Sequence, residues 1–178
     1  GLTAVGLGLL TVAGLIVLTA GSRLTRNGWR KTAWAVLTVG ALWTTTAAVV
    51  EATVIVRAAT TGDTATFEVW SPFAEAYSAA FLVVLLALAT IAGSEARSAH
   101  GTTPVWAAVI GAVAGVVGAL GMVLTFGAGI EPAAVVWLGS TVVVSLWTVW
   151  FGVTLARDGE DAWTARGDSG SGSPGTAH

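Results

Sequence analysis

The sequence predicts an all-α polytopic integral membrane protein, a bundle of five transmembrane helices with the N-terminus outside and the C-terminus cytoplasmic. Three observations carry this expectation. Hydrophobic residues make up 54% of the chain and charged residues 10%, with a mean hydropathy of +0.80. An ordinary soluble domain carries roughly 25% charged residues and needs them to cover its surface. Long apolar stretches recur along the chain, each about as long as a hydrocarbon core of roughly 30 Å requires. Finally, seven of the eight basic residues fall in alternate gaps between these stretches, as the positive-inside rule expects of cytoplasmic loops. Arg23, Arg26, Arg30 and Lys31 occupy the first gap, Arg97 the third, and Arg157 and Arg166 follow the last stretch; Arg57 alone lies on the other side.

Residues 2–20 form a charge-free run that would span about 28 Å at 1.5 Å per residue. The charges follow this run instead of preceding it, so it is expected to be a span and not a signal peptide. The chain opens at Gly1 without a methionine, which leaves room for processing or for upstream sequence and a sixth span. Residues 33–56 form the second span, with Trp29 and Trp34 beside the basic cluster, where amphipathic rings favour the headgroup level. Ser71 as a cap and Pro72 at the first helical position are expected to open the third, residues 72–93. Thr103 and Pro104 repeat that device for the fourth, residues 104–126, and Glu131 and Pro132 open the fifth, residues 132–156.

The external loop 58–71 alternates Thr64, Ala65, Thr66, Phe67, Glu68 and Val69, the pattern of a short extended piece or of a segment lying on the membrane surface. Residues 158–178 turn acidic and then rich in serine and glycine, the composition of a disordered polar tail.

Lipid tails are as apolar as leucine, so helices in a bilayer associate through close backbone approach and interhelical hydrogen bonds. Gly111, Gly115 and Gly118 make one face of the fourth span almost bare backbone, expected to pack within the protomer. Thr141, Ser145 and Thr148 recur at helical spacing along the fifth, where their hydroxyls can bond neighbouring helices or their own carbonyls. Trp137, Trp147 and Trp150 are expected to anchor that helix at the interfaces.

Glu51 lies inside the second span, about 27 Å along the helix axis from Ala33 and so near the outer boundary. It shares a helical face with Gly40, Thr44 and Ala47, which turns it toward other helices. An ionisable group within a span is a candidate proton or cation site; alternatively, Glu51 reaches the external headgroups or pairs with Arg57. Glu75 and Glu131 begin the third and fifth spans on the same side, so three carboxylates would ring an outer vestibule; alternatively, Glu75 and Glu131 complement helix dipoles.

Other chemistries are excluded by composition. There is no cysteine, so disulfides and thiolate metal sites are absent. No span offers a histidine pair for haem, the only lysine sits at an inner edge, and no phosphate loop or zinc motif occurs. No metal and no cofactor are therefore expected, and the net charge of −2 gives no basis for nucleic-acid binding.

The bias toward Ala, Val, Thr and Gly, with Arg far exceeding Lys, resembles small multi-span proteins of GC-rich prokaryotes such as actinomycetes or haloarchaea, in style and without a diagnostic motif. That resemblance implies a prokaryotic plasma membrane. The expected function is a non-enzymatic accessory subunit or assembly partner, in contact with the lipid bilayer and with a membrane protein partner or a homo-oligomer. The competing expectation is a small oligomeric proton- or cation-coupled transporter or channel using Glu51.

Overall fold

The computed structural model describes residues 28–98 and 101–170, with side chains described at 29–73, 76–98 and 101–157. Among these residues every regular element is a helix. Four helices are long and apolar enough to cross a membrane: Trp29–Thr61, Thr64–Ala96, Val105–Gly127 and Ala133–Arg157. The run 2–20, expected to form the first span, lies outside the described residues.

In chain order, α1 (Gly28–Val50) passes through a π turn, Glu51–Ile55, into the short α2 (Val56–Thr61). The chain then returns through α3 (Thr64–Glu75) and α4 (Tyr77–Ala96). It turns back in α5 (Val105–Met122), which ends in a second π turn, Val123–Gly127, and then runs into α6 (Ala133–Gly170). The α6 backbone thus stays helical past Arg157 to Gly170, into the stretch expected to be a polar tail.

The loop 58–71, expected to be extended or surface-lying, is instead a helical hairpin. Its turn is two residues, Gly62 and Asp63. Gly62 takes φ 70°, ψ 22°, the left-handed conformation that ends a helix without a Cβ penalty. Asp63 then caps α3: its Oδ1 accepts the Thr66 N–H at 3.1 Å and its Oδ2 accepts the Thr66 hydroxyl at 2.7 Å. These caps override the alternation of residues 64–69, which is too short to form a strand without a partner. Phe81 and Phe126 both meet Trp137, at 6.1 and 6.0 Å between ring centroids. Phe126 lies in the π turn that follows α5, so α3, which precedes Phe81 in the chain, packs against α1, α2 and the first π turn.

The Asp63 cap makes the hairpin sensitive to pH. The bonds from the Thr66 hydroxyl and then the Thr66 N–H hold its carboxyl below the ordinary carboxylate value. The folded value is depressed, so the cap's contribution is full above the unfolded value of about 3.9 and fades as pH falls through the folded one. Hydrogen exchange, corrected for intrinsic rates, should show the first turn of α3 better protected at neutral pH than at pH 3. Asp63→Asn should keep an acceptor but abolish that difference.

Pro72 does not open a helix; it lies inside α3. Having no N–H, it cannot donate to the Glu68 carbonyl, yet the bonds resume beyond it, from the Ala76 N–H to the Pro72 carbonyl and from the Ala80 N–H to the Ala76 carbonyl, each at 3.1 Å. The helices α3 and α4 are divided at Ala76, where ψ is −10°. Nor does Thr103 cap α5. Pro104 is the N-cap residue, with no side-chain cap bond, and the buried Thr103 hydroxyl has no partner.

The described spans pack in the order α1, α4, α5, α6. At the end carrying Arg30, α1 also reaches α6, where Trp34 stacks on Phe151 at 6.2 Å between centroids. The glycine face of α5 explains how the helices come so close. A Cβ at Gly115 would stand 2.8 Å from the Ala89 Cβ and 2.9 Å from the Leu85 carbonyl oxygen, so α4 rests directly on the α5 backbone. On the other side, a Cβ at Gly111 would lie 2.7 Å from the Trp147 ring, and one at Gly118 would lie 3.2 Å from the Ser140 Cβ.

Trp147 is therefore buried under Gly111 and stacks on Phe151 at 5.4 Å instead of anchoring at an interface. Trp34 is likewise core, whereas Trp29, Trp106 and Trp150 are exposed as anchors would be. Apolar side chains fill both core clusters, around Trp34, Ile91 and Phe151 at one end and Leu85, Met122 and Val144 at the other.

Candidate functional site

The α4 helix continues past Gly93 to Ala96, and that added turn buries an acid. Because α1 and α4 run antiparallel, the first turn of α1 meets the last turn of α4. There Arg30 Nη2 lies 3.0 Å from Glu95 Oε1 and donates to the Ser94 carbonyl at 3.2 Å. Glu95 Oε2 accepts the Thr102 N–H at 2.9 Å. The Glu95 side chain is 3% exposed and that of Arg30 20%. The connection from α4 to α5 closes over the carboxylate: a Cβ at Gly101 would come within 3.0 Å of the Glu95 carbonyl oxygen.

An acid at a helix C-terminus faces the negative end of the dipole, and burial adds a desolvation cost. Arg30 offsets both, since one guanidinium bonds the carboxylate and a carbonyl of that terminal turn. Both Glu95 oxygens are engaged, so the cluster ties two helices and a loop together.

Sequence reasoning ended the third span at Gly93 and so left Glu95 in a loop. A usable signal was present: Glu95 is an acid beside Arg97, among the basic residues that mark that end of the bundle, within one turn of the end of an apolar run. Such a carboxylate needs a cation from a neighbouring span.

The acids of the expected vestibule are arranged differently. Glu51 is exposed and is the first residue of the π turn; the Val56 N–H bonds to its carbonyl, five residues back. Gly40 and Ala47 are buried and Thr44 is half-buried, whereas Glu51 itself is exposed. The wide turn inserts a residue into the helical register and so shifts the phase of the residues that follow Glu51. Thr44 donates its hydroxyl to the Gly40 carbonyl at 2.8 Å. Glu131 is exposed in the turn after Gly129, which takes φ 68°. Glu75 ends α3 in the backbone, and its side chain is outside the described set. Among the described residues, no hydrogen bond or ion pair joins Glu51 to Glu131.

The hydroxyls of α6 are also turned inward on their own helix. Thr141 donates to the Trp137 carbonyl at 2.7 Å and Thr148 to the Val144 carbonyl at 2.8 Å, while Ser145 is exposed. Thr45, Thr90 and Thr125 make the same bond four residues back, each at 2.8 Å. Hydroxyls used this way have their proton committed to their own helix. Among the described residues, no three His, Cys, Asp or Glu side chains converge as metal ligands.

No known protein family, curated protein or solved structure matches this chain.

Proposed function

We propose that this chain is a non-enzymatic membrane component, an accessory subunit or assembly partner of a larger complex in a prokaryotic plasma membrane. In this reading it crosses five times, with residues 2–20 as the first span, the N-terminus outside and the C-terminus inside. The observation that supports it best is the chemistry of the described interior. Both core clusters are apolar, the buried acid is tied at both oxygens, and the threonine hydroxyls bond their own helices. Meanwhile α6 presents a stripe of exposed apolar residues, Val135, Val142, Leu146 and Val149, suited to lipid or to another helix.

A second reading, a proton- or cation-coupled transporter or channel, rests on Glu51. Its π turn is of the kind frequently found at functional sites. The two readings diverge on Glu51→Gln. On the accessory reading, the variant changes stability by less than about 0.5 kcal/mol, as an exposed substitution does. Proteoliposomes holding either form would then pass protons no faster than empty vesicles. A proton flux present with the native chain and abolished by Glu51→Gln would replace the accessory reading with the transporter.

The orientation has its own test, made simple by the absence of native cysteine. Single cysteines at Thr61 and Ser98, at opposite ends of the bundle, should label from outside intact cells and only after permeabilisation, respectively. Labelling of both from outside would overturn the assigned topology.

A further inference from the structure

A continuous apolar groove runs along the outer side of the α1–α4 pair. Its wider part, about 480 Å³, is lined by Val36, Val39 and Trp43 of α1, by Ala76 at the start of α4, and by Ala79 and Ala80 of α4. A second part of about 260 Å³ shares Val36 and Val83 with the first and carries the groove on to Trp29 and Thr90. Trp29 and Trp43 are fourteen residues apart, so the groove extends about 21 Å, most of a hydrocarbon core. Its floor is made of alanines, with Gly40 beside them, the small residues that let another helix backbone approach closely in lipid.

We propose that this groove is the docking site of the chain's own residues 2–20. The proposal rests on the five-span reading and adds to it the face on which the first span sits. Three observations select this occupant. Only residues 21–28 lie between that run and Trp29, which lines the inner end of the groove, so the connection reaches at most roughly 30 Å. Two spans joined so shortly are antiparallel neighbours. The groove walls carry no charged side chain, and residues 2–20 carry none either. Lastly, the run supplies small residues of its own, Gly6, Gly8, Ala13 and Gly14, to set against the alanine floor. A helix seated there would cover Val39, now 65% exposed, and Trp43.

Disulfide scanning of the full-length chain in its native membrane tests this directly. Val39→Cys, in the middle of the groove, is paired in turn with cysteine at Thr11, Val12, Ala13 and Gly14, which together cover one full helical turn. Thr3→Cys, labelled with an impermeant maleimide, reports separately whether the run crosses. The expected result is external labelling at Thr3 together with an efficient intramolecular crosslink at one or two adjacent faces of the scanned turn and little at the others.

External labelling at Thr3 with no crosslink from any of the four would overturn the docking site and leave the five-span reading standing. Crosslinks that run only as dimers would assign the groove to a second copy and also overturn the proposal. Failure of Thr3 to label from outside would remove the five-span reading, and the docking proposal with it.

Discussion

Glu95→Ala is expected to destabilise the protein by about 3 kcal/mol, the low end of the range for breaking a buried ion pair. The low end applies because the Arg30 guanidinium, 20% exposed, keeps some access to water when its partner is lost. The alanine also takes the acceptor from the Thr102 N–H and so loosens the connection into α5. Glu95→Gln keeps that acceptor and should cost less. The double variant Arg30→Met, Glu95→Leu should recover most of the loss, since apolar replacement of a whole buried pair is often neutral or stabilising. Equilibrium unfolding in mixed micelles of detergent and denaturing surfactant measures all three. A Glu95→Ala variant within about 0.5 kcal/mol of the native chain would mean that the ion pair does not lock the helices.

The second large effect belongs to the glycine face of α5. Gly115→Ala is expected to cost about 1–3 kcal/mol through overpacking, and Gly115→Leu more, because a Cβ there meets the Ala89 Cβ and the Leu85 carbonyl at under 3.0 Å. Backbone cannot move aside as a side-chain tip can, so α4 and α5 must separate. At Gly111 the obstacle is the base of the Trp147 ring, equally confined by Phe151. Gly118→Ala should be milder, since the Ser140 Cβ lies 3.2 Å away and has only to give slightly. Gly139 provides the control. Nothing lies within 4 Å of a Cβ there, so Gly139→Ala should be neutral or stabilise by up to about 1 kcal/mol through helix propensity. Thermal denaturation in one detergent, run across this series, should rank Gly115 below Gly118 and Gly118 below Gly139. Equal melting temperatures for the alanine variants would show that the α4–α5 contact is looser than the geometry requires.

Spans were the most legible feature of the sequence because hydropathy sums over some twenty residues and tolerates local errors. The ends were less legible, for a physical reason: a helix boundary is decided by one or two capping groups, and several candidates compete. Ser71 with Pro72 offered the expected signature, but Gly62 with Asp63 formed a turn that fixed the helix start eight residues earlier. Once α3 was running, Pro72 was taken up inside it. Thr103 met a similar competitor. Its neighbour Thr102 is held by the Glu95 carboxylate, and the helix starts after Pro104 with the threonine hydroxyl unused.

The site residues divide along the same line. The close-packing role of Gly111, Gly115 and Gly118 follows from small residues at fixed spacing, which is a local property. Whether Glu51 is covered depends on the elements packed around it, a tertiary property that helical spacing does not carry, and it stands exposed at the start of the π turn. The Arg30–Glu95 pair spans 65 positions in sequence and exists only because two antiparallel helices end at the same level. Trp147 as an anchor was a reasonable expectation from its place near a helix end, but the absent side chain at Gly111 opens a slot that the ring fills.

The accessory-subunit account is tested most directly by purifying the tagged chain from its native membrane in mild detergent and determining the composition and mass of what elutes. The account predicts a second membrane protein in fixed stoichiometry, retained with Glu51→Gln. Recovery of the chain alone, as a monomer or a defined homo-oligomer that conducts protons only when Glu51 is intact, would contradict it.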